Sequence, residues 1–512
     1  MIAAMRKEPK PSPTESPLLF EVDPEPLEET LTALGGIPLV VQAFRSLGLA
    51  QSVREQVRVK ERQRGYDEAT FVESFVILNA AGGECVDDFE RLRQDPGLAE
   101  MIGHELPSPG AARQFLNAFH EEEKIAEARQ RRLPGQIAYI PEETPALEGL
   151  GRVNRDLVQR FGERSPDQRM ATVDQDATII ESHKQQALPT YEGPRGYQPM
   201  LAVWAETGLV LADQFRDGNV PAQMAPLEVA QRAFAALPGT VTAYYYRGDS
   251  ACHESNLLNW LRDEKRQGGP QGRIGFAISA RMSGALHAAI EEVPEQAWAP
   301  YGEPHPEEIR ECAEVPFVPG ESAEKKDAQP LRYVAIRIRK KQGGLFEDGS
   351  SVRHFAVLTN RWELKAARLI EWHREKAGTI ELVHDLLKND LGGRRAALEI
   401  LRSQCGLAAL GGDRAQCADR SEAAGLAGGA VDGASQALAL PDLQHAGTAG
   451  ASRPPADPTP GCPGRGDCRL PGGAAVAAAE DLNPPAPKHS SYQRIGEPLF
   501  EPWFGVSAFF AP

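Results

Sequence analysis

The chain has 512 residues, a length that accommodates two or three domains with cores of their own. Its composition, 41% hydrophobic and 25% charged, is ordinary for a globular protein, and no apolar run approaches the ~18–20 residues of a membrane span. The formal net charge of −16 excludes a protein that coats nucleic acid by bulk electrostatics. Local basic faces remain possible at 54–64, 337–341 and 361–376, where the alternative is a merely solvated surface.

The N-terminal segment 1–25 is rich in Pro, Glu and Ser, and we expect it to be disordered. It has no apolar stretch long enough for a secretory signal. Cys85, Cys252 and Cys312 are scattered without metal-ligand spacing. We therefore expect a cytoplasmic protein that does not associate with membranes.

Residues 26–165 are predicted to form an all-α N-terminal domain. Apolar residues recur at helical spacing, and the strongly apolar stretch Ala69–Ala81 predicts a buried helix that ends at Gly82. Such a domain is a candidate for DNA binding. Packing against the rest of the chain is an equally good interpretation, since no recognition helix can be named.

From residue 166 the pattern changes to alternating strands and helices. The predicted strands are 170–182, 199–206, 209–216, 241–249 and 273–280, and the predicted helices are 221–237 and 253–265. Thr207 and Gly208 supply a hairpin turn. Three meandering strands followed by two crossovers predict an α/β fold with a ribonuclease H-like core over 166–392, rather than a doubly wound sheet.

The stretch 281–351 is rich in Glu and Pro and is interpreted as an insertion in this core. It contains one predicted strand, Leu331–Arg339. The core pattern then resumes with His354–Asn360, and a long amphipathic helix is predicted from Leu364 to about Leu391.

Acidic residues interrupt the first strand. Asp174 and Asp176 are two residues apart and therefore lie on one face of the pleat. A buried, unpaired carboxylate is expensive, so the pair indicates a strand end with solvated acids or a held cation. Asp249 lies at the carboxyl end of the fourth strand, and Glu381 lies on the late helix.

In a ribonuclease H-like sheet the first and fourth strands are neighbours, and the last helix crosses their ends. We therefore expect Asp176, Asp249 and Glu381 to converge. Converging acids repel each other unless divalent cations neutralise them, and their oxygen ligands suit Mg²⁺ or Mn²⁺. Two such ions about 3.5–4 Å apart activate a water or a 3′-hydroxyl and stabilise the leaving oxygen of a phosphodiester.

Glu381 and Lys388 are seven residues apart and share a helix face. A lysine in that position contacts a phosphate as a point charge. An ordinary surface pair of an acid and a base is the commoner explanation of such spacing.

These residues resemble the motifs of DDE transposases. Asp176-Ala-Thr178 is similar to their Asp-x-Thr, Tyr246–Ser250 to their second Asp motif, and Glu381 with Lys388 to half of their Tyr-two-Arg-three-Glu-six-Lys signature. The stretch Asp174–Glu206 resembles the transposases of insertion-sequence group thirteen-eighty in particular. The Tyr-two-Arg half departs from the pattern, since Arg374 and Ala377 stand where tyrosine and arginine are expected. His373, Arg374 and Lys376 are nearby substitutes, and we expect Arg374 and Lys376 to bind DNA.

The resemblance implies a cut-and-paste transposase of a mobile element. It implies two Mg²⁺ or Mn²⁺ ions held by Asp176, Asp249 and Glu381, with Lys388 on a phosphate. Asp174 is a weaker candidate ligand because it does not carry the x-Thr. The implied partners are the terminal inverted repeats and target DNA, both double-stranded, with a homodimer as the assembly.

From about residue 393 the composition collapses into Ala, Gly, Pro and Arg, which is typical of a disordered tail. Ser403–Gly425 can also be encoded by codons whose neighbouring frame reads as an amphipathic helix. We therefore hypothesise that 393–512 is out-of-frame sequence after a frameshift. Two alternatives to an active transposase follow: a catalytically dead remnant that retains at most DNA binding, and a different metal-dependent nuclease of the same fold.

Overall fold

The structure is a computed structural model that describes residues 30–60, 64–119, 130, 138–182, 187–319, 331–341, 343–386 and 388. The segment 1–25 and the tail 393–512, both predicted to be disordered, lie outside the described residues. No helix in the described ranges combines the length and the apolar character that crossing a bilayer requires.

The N-terminal part is helical, as predicted. Its helices are α1 Ile37–Ser46, α2 Leu49–Gln56, α3 Glu68–Ala80, α4 Phe89–Arg93, α5 Pro96–Ile102, α6 Pro109–Asn117 and α7 Pro145–Arg164. The side chains of Asp67, Ser108 and Thr144 accept backbone N–H bonds at the starts of α3, α6 and α7. The apolar helix α3 is buried on most of its surface and forms the centre of the bundle.

Helix α7 joins the bundle to the sheet. Gly149 lies against the backbone of Gln56 in α2, where an added Cβ would come within 2.3 Å of the carbonyl oxygen. On the other side, Asn154 donates a 3.0 Å bond to the carbonyl of Val210 in the sheet. One cluster of buried apolar side chains runs from the helices into the sheet. The predicted domain boundary near residue 165 remains a prediction.

The main sheet is mixed and has nine described strands. The strands in chain order are β1 Met170–Ala177, β2 Ile180–Glu181, β3 Leu188–Pro189, β4 Arg195–Tyr197, β5 Met200–Trp204, β6 Leu209–Gln214, β7 Ala243–Gly248, β8 Ile274–Ser279, β9 Ala299–Pro300, β10 Glu308–Val315, β11 Arg332–Lys340 and β12 Val352–Thr359. Their order across the main sheet is β6-β5-β1-β7-β8-β12-β11-β10-β9, and β2, β4 and β3 form a small separate sheet. β1 pairs antiparallel with β5 and parallel with β7, and β7 pairs parallel with β8.

Helices cover both faces of the meander. The helices that follow strands β1, β5 and β6 in the chain are α8 Pro226–Ala236, α9 Ser255–Arg262, α10 Gly284–Glu291, α11 Ala366–Arg374 and α12 Ile380–Asp385. Val229 and Ala233 of α8 join the main core on one face. Ile380 and Val383 of α12 pack with Leu201 of β5 on the other. All of β5 is therefore buried.

The stretch 281–351 contains more regular structure than the sequence indicates. Besides the predicted strand, which is β11, it contains α10, the short β9 and the long β10. These strands continue the main sheet beyond β12. The prediction of a single strand was wrong because β10 carries many charged residues, which its partner strand neutralises: Glu311 binds Arg337 and Arg339 at 2.9 Å each.

The predicted continuous helix from Leu364 to about Leu391 was also wrong. The described part is two helices, α11 and α12, separated by the 3-10 turn Glu375–Gly378. Arg247 donates to the Trp372 carbonyl at 2.7 Å, and the Thr379 hydroxyl donates to Asp174. These tertiary contacts, together with the low helix propensity of Gly378, break the helix. Positions 389–391 lie outside the described residues.

Candidate active site

Two aspartates lie side by side at the carboxyl ends of the parallel strands β1 and β7. Gln175 of β1 is in register with Gly248 of β7, and Asp176 and Asp249 each follow that pair by one residue. The sheet therefore brings together two acids that are far apart in the sequence, as the sequence predicts. Asp249 also begins a 3-10 turn, because its Oδ1 accepts the N–H of Ala251 at 3.0 Å.

The two carboxylates interact electrostatically. Burial raises the pKa of Asp249, and the charge of Asp176 raises it further, against the opposing charge of Lys376. Repulsion between like charges at short range disfavours ionising both groups. This acid pair, Asp176 with Asp249, is thus a local concentration of negative charge that favours a cation.

Lys376 already supplies a cation at this position. Its ammonium donates to Oδ2 of Asp176, and its side chain is only 10% exposed. Burial lowers the pKa of Lys376, but the charges of Asp176 and Asp249 outweigh burial and raise it above the usual value. The lysine is therefore charged in the folded chain.

Asp174 has a different environment from Asp176. Its two oxygens accept bonds of 2.6 and 2.8 Å from Nε and Nη2 of Arg247, and the Thr379 hydroxyl donates to it as well. The side chains of Asp174 and Arg247 are 0% and 3% exposed. A bidentate, fully buried pair satisfies both groups, so Asp174 holds the fold together beside the acid pair.

Arg247 also contacts the segment where the predicted long helix breaks, between α11 and α12. Its Nη1 binds the Trp372 carbonyl at 2.7 Å and Glu375 at 3.2 Å, and its guanidinium lies 5.4 Å from the Trp372 ring centre. One arginine on β7 therefore fixes β1, the end of α11 and the 3-10 turn relative to each other. That turn carries Lys376.

Helix α12 covers the acid-bearing face of the sheet, but Glu381 is exposed on it. The side chain of α12 that is buried near Asp176 is His384, whose pKa burial lowers to about 4. Its Nε2 has no hydrogen-bond partner in the described part of the chain. Lys388 is half-buried within electrostatic reach of His384. The convergence of Glu381 with the two aspartates stays a prediction, as does the phosphate contact of Lys388.

The other predicted DNA-binding residue, Arg374, lies with its guanidinium 5.3 Å from the ring centre of Tyr301. The basic segments are locally balanced by acids. Arg54 pairs with Asp67 at 2.7 Å, and Arg361 pairs with Glu363 at 2.8 Å. A DNA-binding role for Arg374 and Lys376 remains a prediction.

Sequence reasoning missed several residues around the acid pair. Tyr191 is 77% exposed at the tip of the β3–β4 hairpin, and partial desolvation, Glu192 and the charges of Asp249 and Asp176 raise its pKa. Arg247, Thr379 and His384 were also missed. An arginine two residues before Asp249, on a strand, was the one available signal, since a buried arginine requires a buried acid.

The side chains fit a divalent cation in their donor chemistry. The acid pair offers hard oxygen ligands, and its mutual repulsion favours a positive charge. The nearby His384 Nε2 is buried and has no hydrogen-bond partner among the described residues. Nowhere in the described ranges do three or more His, Cys, Asp or Glu side chains form a group that could hold a metal ion. A third ligand from Glu381 therefore remains a prediction.

One of the comparisons with known proteins identifies a family. The family described as Transposase DDE domain group 1 matches residues 28–400, which is more than half of the chain. A search of curated proteins finds no match. The structure is similar to the piggyBac transposase in a synaptic complex with hairpin DNA, at 10% identity and a TM-score of 0.36 over 72% of this chain and 73% of that one. It is also similar to the mariner Mos1 transposase in a paired-end complex with Mg, at 15% identity and a TM-score of 0.13 over 46% of this chain and 78% of that one.

A chain with this family match is a DNA transposase by class. The protein belongs to the DDE transposase family, as the motifs at Asp176, Asp249 and Glu381 led us to expect.

Proposed function

We propose that the protein is a cut-and-paste transposase that hydrolyses DNA strands at the inverted-repeat ends of its element and joins them to target DNA. The observation that carries the proposal is the acid pair at the adjacent ends of β1 and β7. The strand order β6-β5-β1-β7-β8, with three antiparallel strands followed by two parallel ones, supports a ribonuclease H-like core.

Asp176 and Asp249 would hold Mg²⁺ or Mn²⁺, with Glu381 as the third carboxylate and two ions as the expected number. When bound, the metal supplies Lewis-acid stabilisation of a phosphodiester and lowers the pKa of a water or 3′-hydroxyl. The chain's own groups position this site. The pair of Arg247 and Asp174 fixes the two strands relative to each other. Glu381 lies in the first turn of α12, and the break before α12 lets this helix run in a different direction from α11.

Cleavage of DNA that carries both ends of the element tests this function. We expect Mg²⁺-dependent cleavage by the full chain and its loss, by about a thousandfold or more, in Asp249→Ala, since the acids act as one unit. Asp263→Asn is the matched control, because Asp263 is exposed after α9 and lies outside the site. If Asp249→Ala cleaved DNA as well as the unmodified chain, the assignment of Asp249 as a catalytic metal ligand would be wrong.

Dependence on specific ends distinguishes a transposase from another nuclease of the same fold. Cleavage of any supercoiled plasmid, with no preference for the inverted repeats, supports the general nuclease. Binding of the ends without cleavage supports the inactive remnant, an alternative that the exposed Glu381 favours. Sedimentation of the DNA complex tests the proposed homodimer.

The proposed origin is insertion-sequence group thirteen-eighty, and the proposed tail is out of frame. The change in composition near residue 393 supports the frameshift. Resequencing the gene tests it: a helix-coding alternative frame after codon 403 is expected. A frame-corrected chain should then cleave more efficiently than this one, because a helix behind α12 would support Glu381.

A further inference from the structure

The ammonium of Lys376 lies against the acid pair that is proposed to hold the metal. It donates to Asp176, and Asp249 acts on it electrostatically. The side chain is largely enclosed, with 10% exposure.

The backbone around Lys376 is held on both sides. Before it, Arg247 binds the Trp372 carbonyl and the Glu375 carboxylate. After it, the Thr379 hydroxyl donates to Asp174. The 3-10 turn therefore has little freedom to withdraw, whereas the four-carbon side chain of lysine can swing away without backbone movement.

We propose that Lys376 is a built-in counter-cation that competes with divalent metal for Asp176 and Asp249 and is displaced when metal binds. The inference rests on the proposed function, which makes the two aspartates metal ligands. An ammonium and a divalent cation on the same carboxylate repel each other, so the presence of one weakens the binding of the other. Metal affinity is thus set partly by the cost of moving Lys376.

Displacement also gives the lysine a second position. Once away from Asp176, its ammonium is free at the edge of the site as a point charge for a DNA phosphate. The contact with Asp176 and the predicted contact with DNA then belong to the metal-free and metal-loaded forms of one protein.

Mn²⁺ binding to the full-length chain, followed by electron paramagnetic resonance, tests the competition. We expect Lys376→Met to bind Mn²⁺ about tenfold more tightly than the unmodified chain, since a unit charge within a few ångströms contributes at least this much. Lys365→Met is the matched control: Lys365 is exposed at the start of α11, and its replacement should leave the affinity unchanged. Asp249→Asn should weaken binding in either background.

Two results would overturn the inference. The first rejects only the competition by Lys376, and the second also rejects the proposed metal site. Equal Mn²⁺ affinity of the unmodified chain and Lys376→Met, with binding still weakened by Asp249→Asn, rejects the competition and keeps the proposed metal site. Binding that is insensitive to both Asp176→Asn and Asp249→Asn rejects the competition and the metal site together.

A second measurement uses the unmodified chain and does not depend on how a variant folds. Acylation of individual lysines, read by mass spectrometry, should show Lys376 slow to react without metal and several-fold faster with saturating Mn²⁺, because the buried ammonium becomes exposed. Lys365 provides the internal reference. A rate at Lys376 that does not change relative to Lys365 contradicts displacement.

Discussion

Arg247 binds Asp174 through two hydrogen bonds of 2.6 and 2.8 Å, and both side chains are buried. The same guanidinium reaches the end of α11 and the 3-10 turn that carries Lys376. On each strand, the residue two positions before the proposed catalytic aspartate is therefore structural. Asp174 precedes Asp176 on β1, and Arg247 precedes Asp249 on β7. Asp174 and Arg247 thus support the site, whereas Asp176 and Asp249 are proposed to carry out its chemistry.

Replacing one partner of this pair should destabilise the fold. Asp174→Asn leaves Arg247 buried without a full counter-charge, and we expect a loss of about 3–5 kcal/mol in the free energy of unfolding. Asp176→Asn should cost much less, because Lys376 retains Asp249 as a neighbouring charge. Urea unfolding of the two variants side by side measures the difference. Equal losses would contradict the separate roles of the two aspartates.

The contact between α7 and α2 predicts opposite effects of two glycine substitutions on one helix. Gly149→Ala places a Cβ 2.3 Å from the Gln56 carbonyl oxygen, so it should destabilise the chain by about 2 kcal/mol or more. Gly151→Ala meets no atom within 4 Å and should stabilise the helix by about 0.5–1 kcal/mol. Thermal unfolding compares them. A stabilising Gly149→Ala would mean that the two helices are farther apart.

A histidine–carboxylate contact in the helical part predicts a pH dependence of stability. His104 donates a 2.9 Å hydrogen bond from Nε2 to the Glu73 carboxylate, which raises the pKa of His104 above its usual value, against burial. The charged pair therefore stabilises the fold fully below about pH 6.5, the pKa of an unfolded-state histidine. This stabilisation is lost as the pH rises through the higher pKa of the folded state.

The corresponding measurement is unfolding between about pH 6 and 9, a range that brackets the usual histidine pKa. The unmodified chain should lose stability with rising pH relative to His104→Asn, which lacks the titrating group. His287→Asn, at an exposed position on α10, should follow the unmodified chain. Parallel curves for the unmodified chain and His104→Asn would show that the pair contributes nothing.

Local signals in the sequence were enough to predict part of this structure. The alternation of apolar residues, with Thr207 and Gly208 at the turn, predicted the meander, and the motif residues predicted that Asp176 and Asp249 lie near each other. The break in the last helix was not predictable in this way. It depends on the contacts of Arg247 with Trp372 and of Thr379 with Asp174, which join parts of the chain that are far apart in sequence.

The surroundings of Lys376 escaped prediction for the same reason. In a continuous helix it is one of several basic surface residues, and only the 3-10 turn directs it to Asp176. Strand β10 was missed because its charges indicate a loop, whereas in the sheet they pair with Arg337 and Arg339. Local composition does not record which partner strand neutralises a charge.

The most direct test of the acid pair is a double-mutant cycle on Mn²⁺ affinity with Asp176→Asn, Asp249→Asn and the combined variant. If the two carboxylates hold one cation, each single change should weaken binding nearly as much as both together. Losses that simply add would place the two aspartates in separate sites and contradict a shared catalytic centre.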